Sequence, residues 1–122
     1  MTRRYTFPRS HRLGGRKAFG AVFDGKVRES RGPLSALAIP NGLDRLRVGI
    51  AIGRAVGNAA KRNRIKRLLR ESVRLTQHDL PSGYDVVIVV RPHRPLALEG
   101  YQELVRGLLA KLHNRYDEAA KP

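Results

Sequence analysis

With 122 residues, 41% of them apolar, the chain suits one folded unit with a modest core. No run in it approaches the roughly 18 apolar residues of a membrane span, and the lack of cysteine excludes disulfides and thiolate metal sites and agrees with a cytosolic, cytoplasmic protein. Its 25 Lys/Arg against 10 Asp/Glu leave a net charge of +15, which repels itself in any compact fold and so calls for an anionic partner.

Residues 1–12 are expected to form a basic, flexible arm with Tyr5, Phe7 and Pro8 as anchors. The arm has no apolar segment followed by a cleavage site, so no signal peptide is expected. Helical spacing of Leu13, Phe19, Val22 and Phe23 predicts a short first helix ending near Gly25. A polar stretch through Gly32-Pro33 reads as a weak edge strand and Leu34–Ile39 as a second strand. Pro40-Asn41-Gly42 is expected to begin a hairpin loop.

Leu46–Arg54 alternates with period two. Leu46, Val48, Ile50 and Ile52 share one face; Arg47, Gly49, Ala51 and Gly53 share the other, which is almost free of bulk. A glycine in a strand marks a close approach of ligand or backbone, and a bulge or simple helix packing explains it equally well. Gly57-Asn58 then supplies a turn and an N-cap for a helix through about Thr76. Ile65, Leu68, Leu69, Val73 and Leu75 fall on one arc of that helix. Asn63, Lys66, Arg67, Arg70 and Arg74 fall on the opposite arc, with Arg62 and Arg64 at its margins. Like charges four residues apart, as in Arg62–Lys66–Arg70–Arg74, strain the isolated helix by a few tenths of a kcal/mol per pair, a strain that binding to a polyanion relieves.

Leu80-Pro81-Ser82-Gly83 breaks the chain. The β-branched run Tyr84–Val90 predicts a central strand covered on both faces. After a basic, proline-punctuated loop over Arg91–Pro95, a last helix is expected over Glu99–Tyr116, with Leu104, Val105, Leu108, Leu109 and Leu112 at core spacing. Residues 117–122 should fray. No repeat or linker is visible, so residues 1–122 read as a single domain.

The charge is unevenly placed. Residues 45–78 hold ten Lys/Arg and one acid, Glu71, and arginine outnumbers lysine 19 to 6; its planar fork suits phosphate and stacks on bases. Catalytic chemistry is hard to find. The acids are scattered, without the cluster of a two-metal nuclease. His11, His78, His93 and His113 lie 67, 15 and 20 residues apart, with no ligand spacing, and no phosphate loop or nucleophile motif is present. What remains is a nucleic-acid binding surface. Phe19 and Phe23, one helical turn apart, could stack on unpaired bases or pack in the core.

Arg47–Glu71, RVGIAIGRAVGNAAKRNRIKRLLRE, resembles the signature region of the protein subunit of bacterial ribonuclease P, with the Arg-Asn-Arg core at Arg62-Asn63-Arg64. The likeness extends to Arg12-Leu13, to Phe19 and Phe23, to Arg91-Pro92 at the end of the hydrophobic strand and to the tyrosine- and leucine-bearing last helix. It implies an α+β sandwich in the order α-β-β-β-α-β-α, with a four-stranded sheet and a left-handed βαβ crossover. It implies a catalytic RNA that removes the 5′ leader of precursor tRNA with magnesium ions, the protein being non-catalytic and binding no cofactor itself. The implied partners are that RNA and precursor tRNA, with no membrane and no obligatory protein partner. By the resemblance Arg62, Asn63, Arg64, Lys66, Arg67 and Arg70, joined by Arg54, Asn58 and Lys61, face RNA. Arg12, Arg16, Phe19, Phe23, Gly49, Ala51 and Gly53 line a leader cleft.

The chain departs from the family at Ala51-Ile52-Gly53-Arg54-Ala55, where Ser-Val-Ser-Lys-Lys is common, and at Ala36, where a larger side chain sometimes lines the cleft. A leader contact relying more on phosphates than on base edges is expected. The competing readings are a ribosomal-type or chaperone RNA-binding protein and a protein-only nuclease.

Overall fold

The structure, a computed structural model, describes residues 11–120. Helix α1 is Arg16–Phe23, followed by strands β1 (Arg28–Arg31), β2 (Leu34–Pro40) and β3 (Arg47–Ile52). After a turn of 3-10 helix at Arg54–Val56 come α2 (Ala59–Thr76), β4 (Tyr84–Val90) and α3 (Leu98–Ala120). This is the expected order, with the polar stretch before Gly32 forming a true edge strand. Gly32 takes φ 57°, the left-handed region that glycine occupies without strain, and lets β1 turn into β2.

The sheet order is β1-β2-β4-β3. β4 runs antiparallel to β2 and parallel to β3. The hairpin expected at Pro40-Asn41-Gly42 therefore does not form, because β3 lies across β4 from β2. Asn41 explains the detour. Its Nδ2 donates to the Arg45 carbonyl at 3.1 Å and to Asp85 Oδ1 at 2.9 Å, and its Oδ1 accepts from the Leu43 N–H at 2.8 Å. The Asn41 N–H donates to the Gly83 carbonyl at 3.0 Å. The loop is thus stitched to the entrance of β4 and carries the chain past it.

Helices α2 and α3 cover one face of the sheet. Ile65, Leu69 and Val73 of α2 and Tyr101, Val105, Leu108, Leu109 and Leu112 of α3 pack there on Leu34, Ala36, Ala38, Val48, Val86, Ile88 and Val90. α1 covers part of the other face, where Val22 and Leu13 meet Leu37 and Val87. The apolar arc of α2 differs in detail from its sequence reading. Leu68 and Leu75 are only half-buried, and the centre of the arc is completed by Ser72 and Thr76, both fully enclosed. Their hydroxyls donate to the carbonyls of Leu68 and Ser72, each at 2.7 Å, so neither hydroxyl is left unsatisfied. α3 continues beyond the expected Tyr116 to Ala120 in place of a tail fraying from residue 117. At the other end of α3, the buried Tyr101 hydroxyl accepts from the Leu96 N–H at 3.2 Å and meets His93 Nε2 at 2.7 Å, which ties the basic loop to the helix.

Asp85 is buried at 6% exposure. Arg47 grips it with a two-pronged bond, Nε to Oδ1 at 2.7 Å and Nη2 to Oδ2 at 2.6 Å. Burial alone would raise the carboxyl pKa, but the bonds from Arg47 and Asn41 and the charges of Arg47 and Arg45 outweigh it and hold the group below its ordinary value. A carboxyl lowered in the native state contributes stability that is complete above its unfolded pKa and is lost as pH falls through the native one. Asp85→Asn should cost roughly 1–3 kcal/mol at pH 7 by urea unfolding. Its deficit should shrink as pH falls below about 4, the unfolded carboxyl value; a deficit constant with pH would contradict the ion pair. Leu69→Ala should cost roughly 2–5 kcal/mol, and Leu68→Ala distinctly less, when the two melting curves are compared.

Candidate nucleic-acid interface

The second helix starts where the sequence places it. The Asn58 side chain accepts from the Lys61 N–H at 2.9 Å, and the Asn58 carbonyl accepts from the Arg62 N–H at 3.0 Å. Asn58, Ala59 and Ala60 are exposed, so the positive end of the helix dipole faces outward. Asn63, Arg64, Arg67 and Arg70 are exposed and Lys66 is half-buried. Lys61 and Arg62 are different. Both are half-buried, and at 100° per residue they extend the arc of Ile65 and Leu69 over the first turn. The Arg62 Nε is buried with no hydrogen-bond partner. Arg62 therefore sits at the core side of the helix, where the sequence reading had it at the margin of the cationic face.

Asn63, Lys66, Arg67 and Arg70 line a groove of about 460 Å³ together with Glu71, Arg74 and, from outside the helix, Arg12. Arg74 Nε donates to Glu71 Oε2 at 3.0 Å. That hydrogen bond, with the Arg74 charge, lowers the Glu71 carboxyl pKa against a desolvation that raises it. Arg12 is placed by the sheet edge. It bridges to Val48 in parallel register, and the Leu13 N–H donates to the Val48 carbonyl at 3.0 Å. The last residues of the expected flexible arm are thus paired to β3, and residues 1–10 lie outside the described residues.

A second cavity, of about 320 Å³, opens beside the groove and shares Arg12 and Arg70 with it. Its walls include Leu13, Phe19, Gly49 and Val73. Phe19 lies over Gly49 so closely that a Cβ there would stand 2.4 Å from its Cζ. The bare strand face read from the sequence is therefore occupied at Gly49 by an aromatic ring. Farther along, Ala51 pairs with Val89 and Val89 with Ser35; Ala51 and Val89 are half-buried and pack against the cluster of Leu13, Val22, Leu37 and Val87. Ser35 is buried and its Oγ lies 2.8 Å from that of Ser30. Gly53 is exposed, with nothing within 4 Å of where a Cβ would be. Phe23 is 46% exposed, the large apolar side chain most open to solvent among the described residues.

A family model described as ribonuclease P matches residues 7–114. The chain belongs to the family of ribonuclease P protein subunits. The ribonuclease P protein of Thermotoga maritima is 28% identical, with a TM-score of 0.75 over 82% of this chain and 96% of that one. The Staphylococcus aureus protein, at 21% identity, shares the fold with a TM-score of 0.73 over 83% of this chain and 94% of that one.

Within this ribonuclease P fold the expected site residues separate into groups. Arg12, Asn63, Lys66, Arg67 and Arg70 converge on the groove, and Arg12, Phe19, Gly49 and Arg70 on the cavity. Arg54, Asn58 and Arg64 are exposed near the start of α2, Arg16 is exposed at the start of α1, and Ala51 and Gly53 line neither hollow. Ala36 requires correction. It is fully buried against α2 and α3, and the neighbours that face α1's side of the sheet are Ser35 and Leu37. Sequence reasoning missed Glu71–Arg74 and the wall residues Leu13 and Val73. The i,i+3 spacing of the former was a usable signal; the convergence of the latter is long-range.

Gly49→Ala should push the Phe19 ring off the strand and cost roughly 1–3 kcal/mol. Adding Phe19→Leu, whose shorter side chain leaves room for the new methyl, should make the double variant more stable than the two single effects combined. Additive melting shifts would refute the contact.

Proposed function

We propose that this chain assists a ribonuclease P RNA in removing the 5′ leader of precursor tRNA, with the RNA performing the chemistry. One observation carries the reading: an arginine-rich groove on α2 continues, through Arg12 and Arg70, into an aromatic-walled cavity. A strand of RNA needs both elements, cations for its phosphates and flat apolar surface for unpaired bases. In this reading the exposed face of α2, with Arg64, Lys66, Arg67 and Arg70, docks on the catalytic RNA. The leader runs past Phe19 and Phe23 over Ala51 and Gly53. In this reading magnesium is held by the RNA. The small side chains at Ala51 and Gly53 offer the leader no hydroxyl, which favours phosphate contacts over base reading.

The test is reconstitution. Added to a bacterial ribonuclease P RNA and precursor tRNA at low magnesium, the protein should restore cleavage at the mature 5′ end. No effect would favour a ribosomal-type or chaperone role, and cleavage without the RNA would make the protein a nuclease. The double variant Arg67→Ala/Arg70→Ala should keep its melting temperature, bind the RNA more weakly and reduce the slope of log K against log [salt] by about two. An unchanged slope would place these cations outside the interface.

A further inference from the structure

The sheet order puts β3 at one edge and β1 at the other, and cations gather at both. At the β1 edge they lie along its seam with α3. Arg31 rests on α3 at Gly107, where a Cβ would collide with its Nη1. Two turns farther along the same helix face, Arg115 Nη1 donates to the Arg28 carbonyl at 2.8 Å. Lys111 falls midway between these two points. Beyond Arg31, at the turn into β2, Arg91 Nη2 donates to the Gly32 carbonyl at 2.6 Å. Arg28, Arg31, Arg91, Lys111 and Arg115 are all exposed. We propose that this seam is a second phosphate track, which takes the single-stranded 5′ extension of precursor tRNA upstream of the stretch that passes Phe19 and Phe23. This rests on the RNA-binding reading above and adds to it a surface on the opposite edge of the sheet from the α2 groove.

The way these cations are held points to phosphate. Arg31, Arg91 and Arg115 are fixed by a glycine seat or a backbone carbonyl, which orients a guanidinium without neutralising it. Each keeps further N–H donors for a second partner. Among the described residues Arg28, Arg31, Arg91 and Lys111 have no ion-pair partner, and Glu29 reaches Arg115 at 3.4 Å. Like charges left facing one another in this way repel until an anion joins them. The arrangement is also linear. From Gly107 to Arg115 the seam runs about 12 Å along α3, at about 1.5 Å per residue, which suits a strand of phosphates better than a lone acidic side chain. A protein partner would need an apolar centre to its contact, and the exposed large apolar side chain among the described residues, Phe23, belongs to α1. The substrate is the RNA that meets this edge. With the catalytic RNA on α2, beside β3, the β1 edge faces away from it.

The experiment compares reconstituted holoenzymes on two precursor tRNAs, one with a leader of a few nucleotides and one with a leader several times longer. The wild-type holoenzyme should bind the long-leader precursor more tightly and with the steeper salt dependence. Arg31→Gln/Lys111→Gln should weaken that binding severalfold and lower its salt slope by about 1.4, at about 0.7 for each cation removed from a single strand. Affinity for the short-leader precursor, and affinity of the protein for ribonuclease P RNA alone, should stay at the wild-type value. Lys111→Glu leaves the Arg31 seat untouched and should act in the same direction at an unchanged melting temperature; it decides the matter if the double variant melts early. Equal loss on both precursors would overturn the assignment to the 5′ extension, and so would loss of affinity for the catalytic RNA. Wild-type affinity throughout would overturn the track, leaving the seam to an acidic protein and the α2 groove reading intact. Failure of the wild-type protein to bind either RNA would overturn the underlying reading and the track with it.

Discussion

Strand β4 is an almost uninterrupted β-branched run, and a strand with apolar side chains on both faces is stable only when both faces and both edges are covered. That requirement organises the molecule. Val86, Ile88 and Val90 draw α2 and α3 on to one side, and Val87 draws α1 on to the other. β2 and β3 pair with its two edges. The chain meets the demand by stitching the loop after β2 to the mouth of β4 through Asn41 and Asp85, so that β3 can be laid down on the far side before β4 arrives in the sequence.

Helix α2 carries the sharpest conflict. It belongs to the core along one arc and presents a run of cations along the other, in a chain with net charge +15. The structure eases this locally. Ser72 and Thr76 return their hydroxyls to the helix backbone and can be buried. Glu71 pairs with Arg74 and removes one repulsive term from the groove. Lys61 and Arg62 lay their stems along the apolar side of the first turn, with the Lys61 stem over Gly57, where a Cβ would lie 2.5 Å from its Cδ. The remaining charges on Lys66, Arg67 and Arg70 have no ion-pair partner among the described residues, which is consistent with an external polyanion completing them.

Local signals were legible in the sequence and pairwise ones were not. The Asn58 cap, the span of α2, the β4 run and the glycine-bearing face of β3 could be read because each depends on neighbours within a turn or two. The β2–β3 hairpin failed because strand pairing is decided by distant partners, here Asn41 with Asp85. Ala36 failed for a related reason: a strand offers only two faces, and a one-residue error in register moves a side chain from cleft to core. Ser72 and Thr76 escaped notice because an apolar periodicity passes over hydroxyls that can satisfy themselves. The cationic half of the site was visible as a helix face, whereas its aromatic half needed the contact between Phe19 and Gly49.

The topology that defeated the hairpin reading also creates the site. Had β3 paired with β2, its outer edge would have faced β4 or another strand, and Phe19 would have met a different floor. Because β4 takes the centre, β3 is left as an edge, and an exposed edge invites unwanted pairing unless it is blocked. One backbone bridge from Arg12 blocks part of it and at the same time carries a guanidinium to within reach of Arg70 on α2. The arginines shared by groove and cavity are therefore a consequence of sheet order. A protein with the same cationic helix on a sheet of different order would keep the charge and lose the junction between cationic groove and aromatic wall.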